Sequence, residues 1–228
     1  MAKIIIYGSS VTAEQCAYDF TTDSEHEVVA FTLHRKEIKE NEFLRLPVVP
    51  FEDIEKIYPP SDYSMFVSIF FKQINLARKL VFEEAKNKGY KLVSYVSSRA
   101  IVWPGLVIGE NVMIADGANI RPKTKIGDGV FIFPNAVIGH ECVVEDFAYI
   151  AIAAVMIAGS IAKERCIIGA NATILSGVTI GRECLISAGA LVNRDTKDKG
   201  VYTIDQQLKL QPVTSDRLGN VIFKQPQT

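Results

Sequence analysis

The stretch Val130-Phe131-Ile132-Phe133-Pro134-Asn135-Ala136-Val137-Ile138-Gly139-His140-Glu141-Cys142-Val143-Val144 decides the fold of this chain. Ile132, Ile138 and Val144 stand six residues apart, and two places before each sits a compact residue, Val130, Ala136 or Cys142. Followed outward, the phase runs unbroken from Val96 through Val102, Ile108, Ile114, Ile120 and Ile126, and on through Ile150, Met156, Ala162, Ile168, Ile174, Ile180 and Ile186 to Val192. Of these seventeen positions only Ala162 is not a large aliphatic. A helix repeats every 3.6 residues and a flat strand every two, so neither sustains a period of six. A fixed repeat without insertions marks a solenoid, where each rung buries its apolar face only against its neighbours.

The 228 residues hold one large or two modest domains with ample core. With 25 basic and 26 acidic residues and a net charge of −1, the chain has no basic surplus for nucleic acid. Its first residues, Met1 to Gly8, break too early to read as a secretory signal. The uncharged run 147–162, which no other run exceeds in length, is shorter than the roughly 20 residues a membrane span needs, and the hexad phase passes through it. Cys142, Cys166 and Cys184 fall in the compact slot of the hexad and Cys16 lies apart; none shows CxxC spacing, so we expect reduced packing thiols, no metal and a cytoplasmic protein.

Ahead of the repeat, strands are expected at 3–7, 27–32 and 63–70 and helices at 12–20, 52–57 and 74–88, with an extended link at 46–50. That alternation predicts a small parallel α/β unit. Gly8-Ser9-Ser10 falls at the carboxyl end of its first strand, where such units bind ligands and helix amides hold phosphate. The expected division is an α/β unit at 1–95, a solenoid at 96–195 and a capping tail at 196–228, with a hairpin or cap within 213–223.

The hexads, the α/β unit ahead of them and the string NAVIGHECVVEDF resemble the left-handed parallel β-helix acyltransferases that modify nucleotide-linked amino sugars, and their sialic-acid O-acetyltransferase relatives. The resemblance implies three hexads per triangular coil, acetyl-CoA or another acyl-CoA as co-substrate, a nucleotide-linked amino sugar as acceptor, and a homotrimer with sites between subunits. It implies His140 as catalytic base with Glu141 beside it and Asn135 upstream in the substrate pattern. Gly8, Ser9 and Ser10 would grip the nucleotide-sugar. One coil above His140, the amide of Ala158 or Gly159 would serve the oxyanion. Tyr149, Ala170, Ala188 and Gly189 would line the cofactor. The chain departs from the family at Val11-Thr12, where a glycine and a histidine are usual, and at Leu33-His34-Arg35, which lacks an acidic residue.

The residues themselves fit this chemistry. An amine attacking a thioester must lose a proton, and an imidazole, with an ordinary pKa of about 6.5, takes it near neutral pH. His140 falls two places after the inward Ile138, which points it outward, and eighteen-residue stacking sets Lys123 beneath Glu141 for an ion pair. Outward apolar residues near Tyr149, Ile152, Val155 and Ile157 suit a subunit interface. The same base would serve hydroxyl acylation. A non-catalytic binding protein is a further alternative, whereas a zinc enzyme on this coil would need three histidines where the repeat has one.

Overall fold

The structure, a computed structural model, describes residues 2–204, so the expected hairpin or cap in 213–223 lies outside the described residues. The chain first builds a five-stranded sheet from β1 (Lys3–Tyr7), β2 (Glu27–Leu33), β3 (Glu42–Phe43), β4 (Leu46–Pro50) and β5 (Tyr63–Val67), in the order β3-β4-β2-β1-β5. All pairings are parallel except β3 with β4. Ile4, Ile5 and Ile6 are all buried, as expected of a strand covered on both faces. The link expected at 46–50 is a sheet strand, with Phe31 opposite Val48. Three helices, α1 (Val11–Asp23), α2 (Ile54–Ile57) and α3 (Leu76–Asn87), flank the sheet.

At Tyr95 the period changes from that of a sheet and helices to six. Seventeen two-residue strands follow, one per hexad, from β6 (Tyr95–Val96) to β22 (Leu191–Val192). Residues eighteen apart pair in parallel, as Asn119 with Val137 and Ile120 with Ile138, so three strands close one coil. The strands sort into three stacked sheets. We call the face holding Met113, Phe131 and Tyr149 the first, that holding Val137 and Val155 the second, and that holding Lys125 and Val143 the third. The second residue of each pair points inward, and Ile114, Ile132, Ile138, Ile150 and Ile168 form one fully buried column system with Cys142, Cys166 and Cys184 at its corners. All three thiols are free, and burial raises the pKa of Cys166, keeping it a protonated filler.

The coil does not stop at Val192. A further strand, β23 (Val201–Tyr202), pairs with Leu185–Ile186 after a shortened connection, with Leu185 opposite Val201. Tyr202 packs against the coil interior, so the segment expected as a capping tail from 196 begins by adding to the coil.

The α/β unit covers the first face. Phe66 stacks on Phe131 at 5.7 Å, and Phe70 meets Phe131 and Phe133 edge-on. At the edge between third and first faces, Asn111 accepts the Val67 N–H at 2.6 Å and donates to the Val67 carbonyl at 3.2 Å, tying the end of β5 to the coil. Among the described residues, the second and third faces carry no part of the α/β unit's core.

Candidate active site

His140 lies at the turn between Val137–Ile138 on the second face and Val143–Val144 on the third, and is exposed. This corner is opposite the face that the α/β unit covers. Its carbonyl accepts the Gly159 N–H from the storey above at 3.0 Å. That bond removes Gly159 from the two expected oxyanion donors, because its N–H already has a partner. The neighbouring Ala158 N–H has none among the described residues. Its peptide plane is fixed from the other side, since the Ile157 carbonyl accepts the Ser160 N–H at 3.2 Å and the Cys142 thiol at 3.4 Å. Gly139 is what lets the storeys close here: a Cβ on it would sit 2.7 Å from the Ala158 nitrogen. Because Gly139 has no side chain, the storeys close here and an unpaired N–H lies one storey above an exposed imidazole.

Glu141 turns the corner in the left-handed region, at φ 60, which swings its carboxylate down the stack. It accepts the Lys123 ammonium at 3.0 Å, the expected pair, and that hydrogen bond holds its carboxyl below the usual range. No hydrogen bond or ion pair joins Glu141 to the His140 ring among the described residues. Asn135 is exposed at a different corner, between first and second faces, one side of the triangle away from His140. Ala170, Ala188 and Gly189 stack at that same corner, where Ala170 accepts the Gly189 N–H.

Tyr149 is placed otherwise than expected. It is buried on the first face against Phe70, Phe71 and Phe133, and desolvation raises its phenol pKa. It therefore belongs to the packing of the α/β unit on the coil, and neither to an outward interface nor to an open cofactor groove. Ile152 and Ile157, by contrast, are exposed as expected.

Gly8, Ser9 and Ser10 line a cavity of about 510 Å³ at the carboxyl ends of β1, β2 and β5. Gly8 has φ 135, and a Cβ there would collide with Ser68 Oγ, so the turn requires glycine. The Ser10 hydroxyl pairs with Thr12 Oγ1 at 2.7 Å and does not cap α1. The N–H groups of Val11, Thr12 and Ala13 consequently have no partner among the described residues, as an anion site at a helix start requires. Lys36 and Lys72 line the same cavity with Glu37, whose carboxylate lies 3.8 Å from the Lys72 ammonium and accepts the Tyr7 hydroxyl at 3.2 Å. Lys36, Glu37 and Lys72 were not foreseen, although their positions just past the ends of β2 and β5 are where ligand contacts of such sheets fall. No group of three His, Cys, Asp or Glu among the described residues could hold a metal.

The fold is a left-handed, hexapeptide-type β-helix with an α/β unit ahead of the coil, and that unit's cavity opens at the carboxyl ends of its strands. Residues 164–194 match the family described as the hexapeptide repeat of succinyl-transferase. No curated protein matches the chain by sequence. Among solved structures, it is similar to PerB from Caulobacter crescentus in complex with CoA and GDP-perosamine, at 25% identity and TM-score 0.77, over 88% of this chain and 93% of that one. It also resembles the acetyltransferase domain of PglB from Neisseria gonorrhoeae in complex with acetyl coenzyme A, at 20% identity and TM-score 0.75, over 87% and 94%. WeeI from Acinetobacter baumannii shares the fold at 18% identity and TM-score 0.73, over 88% and 96%.

Proposed function

We propose that this chain is an acyl-CoA-dependent N-acyltransferase that moves an acetyl or other short acyl group onto the amine of a nucleotide-linked amino sugar. The observation that carries this reading is the exposed His140 one storey below the unpaired, fixed Ala158 N–H. The likeness to a solved structure that holds both CoA and GDP-perosamine supports the substrate pair.

His140 takes the proton of the amine as its nitrogen forms a bond to the thioester carbonyl carbon. The carbonyl oxygen becomes an oxyanion and accepts the Ala158 N–H, a donor of the kind worth about 10²–10³ in rate. Collapse breaks the C–S bond, and the imidazolium returns the proton to the leaving thiolate. The products are an amide and free CoA. Glu141, held by Lys123, acts on the imidazolium only through space. Gly8, Ser9 and Ser10, the first α1 amides, Lys36 and Lys72 would hold the sugar nucleotide's diphosphate. Ala158 beside His140 and, one side of the triangle away, Ala170, Ala188 and Gly189 are small enough for a pantetheine arm to lie against the coil where two subunits would meet.

One chain alone separates the two halves of this site. The cavity belongs to the unit on the first face and His140 to the opposite corner, across a prism roughly 15 Å deep by strand rise. Ile101, Ile152, Ile157 and Leu191 are exposed on or beside the second face. We therefore propose a homotrimer in which each cavity meets the His140 of a neighbour, acting in the cytoplasm in surface-glycan synthesis. Among the described residues, no helix is long and apolar enough to cross a membrane.

The test is thiol release from acetyl-CoA with a panel of nucleotide-linked amino sugars and their hydroxyl counterparts. Amino sugars should support turnover. Turnover with hydroxyl sugars alone would reassign the chain to O-acylation, and none with either would end the enzyme reading.

A further inference from the structure

At the edge between third and first faces, the left-handed corner residue recurs every eighteen positions as Asn111, Gly129, Phe147, Arg165 and Glu183. Within the coil the carbonyls of Gly129 and Phe147 accept no backbone N–H. Both are met by one side chain from the α/β unit. Arg78, 0% exposed, donates Nε to Gly129 O and Nη2 to Phe147 O, each at 2.9 Å. Its Nη1 turns back to the Ile69 carbonyl at 2.8 Å and the Phe70 carbonyl at 2.7 Å. The guanidinium lies 4.2 Å from the centre of the Phe131 ring. Arg78 has no carboxylate partner among the described residues, so carbonyl dipoles and a ring face offset its desolvation. One storey higher, the buried Asn75 amide faces Arg165 O at 3.4 Å.

The segment so held is strained. Gln73, Ile74 and Asn75 are three successive non-glycine residues in the left-handed region, at φ 55, 50 and 61, and Ile74 is β-branched. Such backbone persists only where its surroundings over-determine it. The same segment walls the cavity at the end of β1, through Ile69, Phe70, Lys72 and Gln73.

We propose that Arg78 is a positioning residue for the nucleotide-sugar pocket. It bolts the 69–75 wall to two successive coils, and Asn75 adds a third, so the pocket is shaped before a ligand arrives. The inference rests on the nucleotide-sugar reading of that cavity. A lysine in its place keeps the charge but cannot serve carbonyls on two sides with a planar fork.

The experiment measures calorimetric binding of UDP, GDP, dTDP, CDP and ADP to the full chain and its Arg78→Lys variant, then steady-state kinetics with the nucleotide sugar that fits. Arg78→Lys should weaken nucleotide binding and raise the nucleotide-sugar KM about tenfold or more, through lost preorganisation, with kcat and the acyl-CoA KM within about twofold. Asn75→Gly, which keeps the left-handed backbone and deletes only the amide, should shift the same two quantities about threefold. It decides the matter if Arg78→Lys does not fold. A lower melting temperature with unchanged nucleotide affinity in the variant that folds would overturn the inference. Absence of binding by the unaltered chain to every nucleotide would instead bring down the nucleotide-sugar reading itself.

Discussion

The coil and the α/β unit bury their cores by opposite means. In the coil each storey repeats the one below, so Ile114, Ile132, Ile150 and Ile168 meet nearly identical surroundings and every contact is a neighbour contact. In the α/β unit no environment recurs. Phe66 and Phe20 meet edge-on, Phe20 meets Tyr95 of the first coil strand in the same way, and a single arginine ties loop to coil. Regularity delivers fixed spacing, and the proposed catalytic corner would need only that: an imidazole and an amide one storey apart. The irregular half delivers shape, which the proposed nucleotide-sugar pocket would need.

The sharpest way to break this comparison is at the corner. His140→Ala should lower kcat/KM by about 10²–10⁴, the range of a general base, while leaving the melting temperature unchanged, because the side chain is exposed. Activity within about twofold of the parent in a thiol-release assay would sink the assignment.

Next in size is the core of the coil. Ile150→Ala removes a fully buried side chain between two identical storeys and should cost about 2–5 kcal/mol in denaturant unfolding. Because stacked storeys depend on their neighbours, the loss should spread along the coil as a lowered unfolding cooperativity, read as a smaller m-value. A loss confined to the midpoint, with m unchanged, would mean the two halves unfold as one unit.

The smallest effect lies where the halves meet. Half-buried Asp19 on α1 is pushed up to about 6 by desolvation first and then by Asp116 of the coil. A carboxyl whose folded pKa is raised penalises the folded state above that value, and the penalty fades as pH falls toward the unfolded value near ~4. Asp19→Asn should therefore raise the melting temperature at pH 7.5 by roughly 1–3 °C, and by nothing at pH 4, in paired thermal scans. A gain of equal size at both pH values would exclude the electrostatic cause.

The two halves were also unequally legible in the sequence. A period of six is a local property, so the coil, its inward column and the outward His140 could be read residue by residue. The Lys123–Glu141 pair followed from simple counting. The choice between Ala158 and Gly159 could not, because it turns on which N–H the His140 carbonyl captures. Tyr149 misled because outward phase on a coil does not say which face a second unit will cover. The 69–75 wall carried no glycine to announce three left-handed residues. Arg78 did leave a trace: with Val81, Phe82 and Ala85 it occupies the buried stripe of α3, a helical face where a cation has no business unless it has acceptors.

The three-sided winding also sets the arithmetic by which this half of the chain can change length. Eighteen extra residues below His140 would add a floor and leave it facing the same way. Six would rotate everything beyond them by a third of a turn, carrying His140 onto another edge and parting it from whatever stands opposite. Surface turns are ordinarily the place where proteins accept additions of any size. Here the uninterrupted run of hexads from Val96 to Val192 behaves like a toothed gear, in which drift is permitted in whole revolutions only.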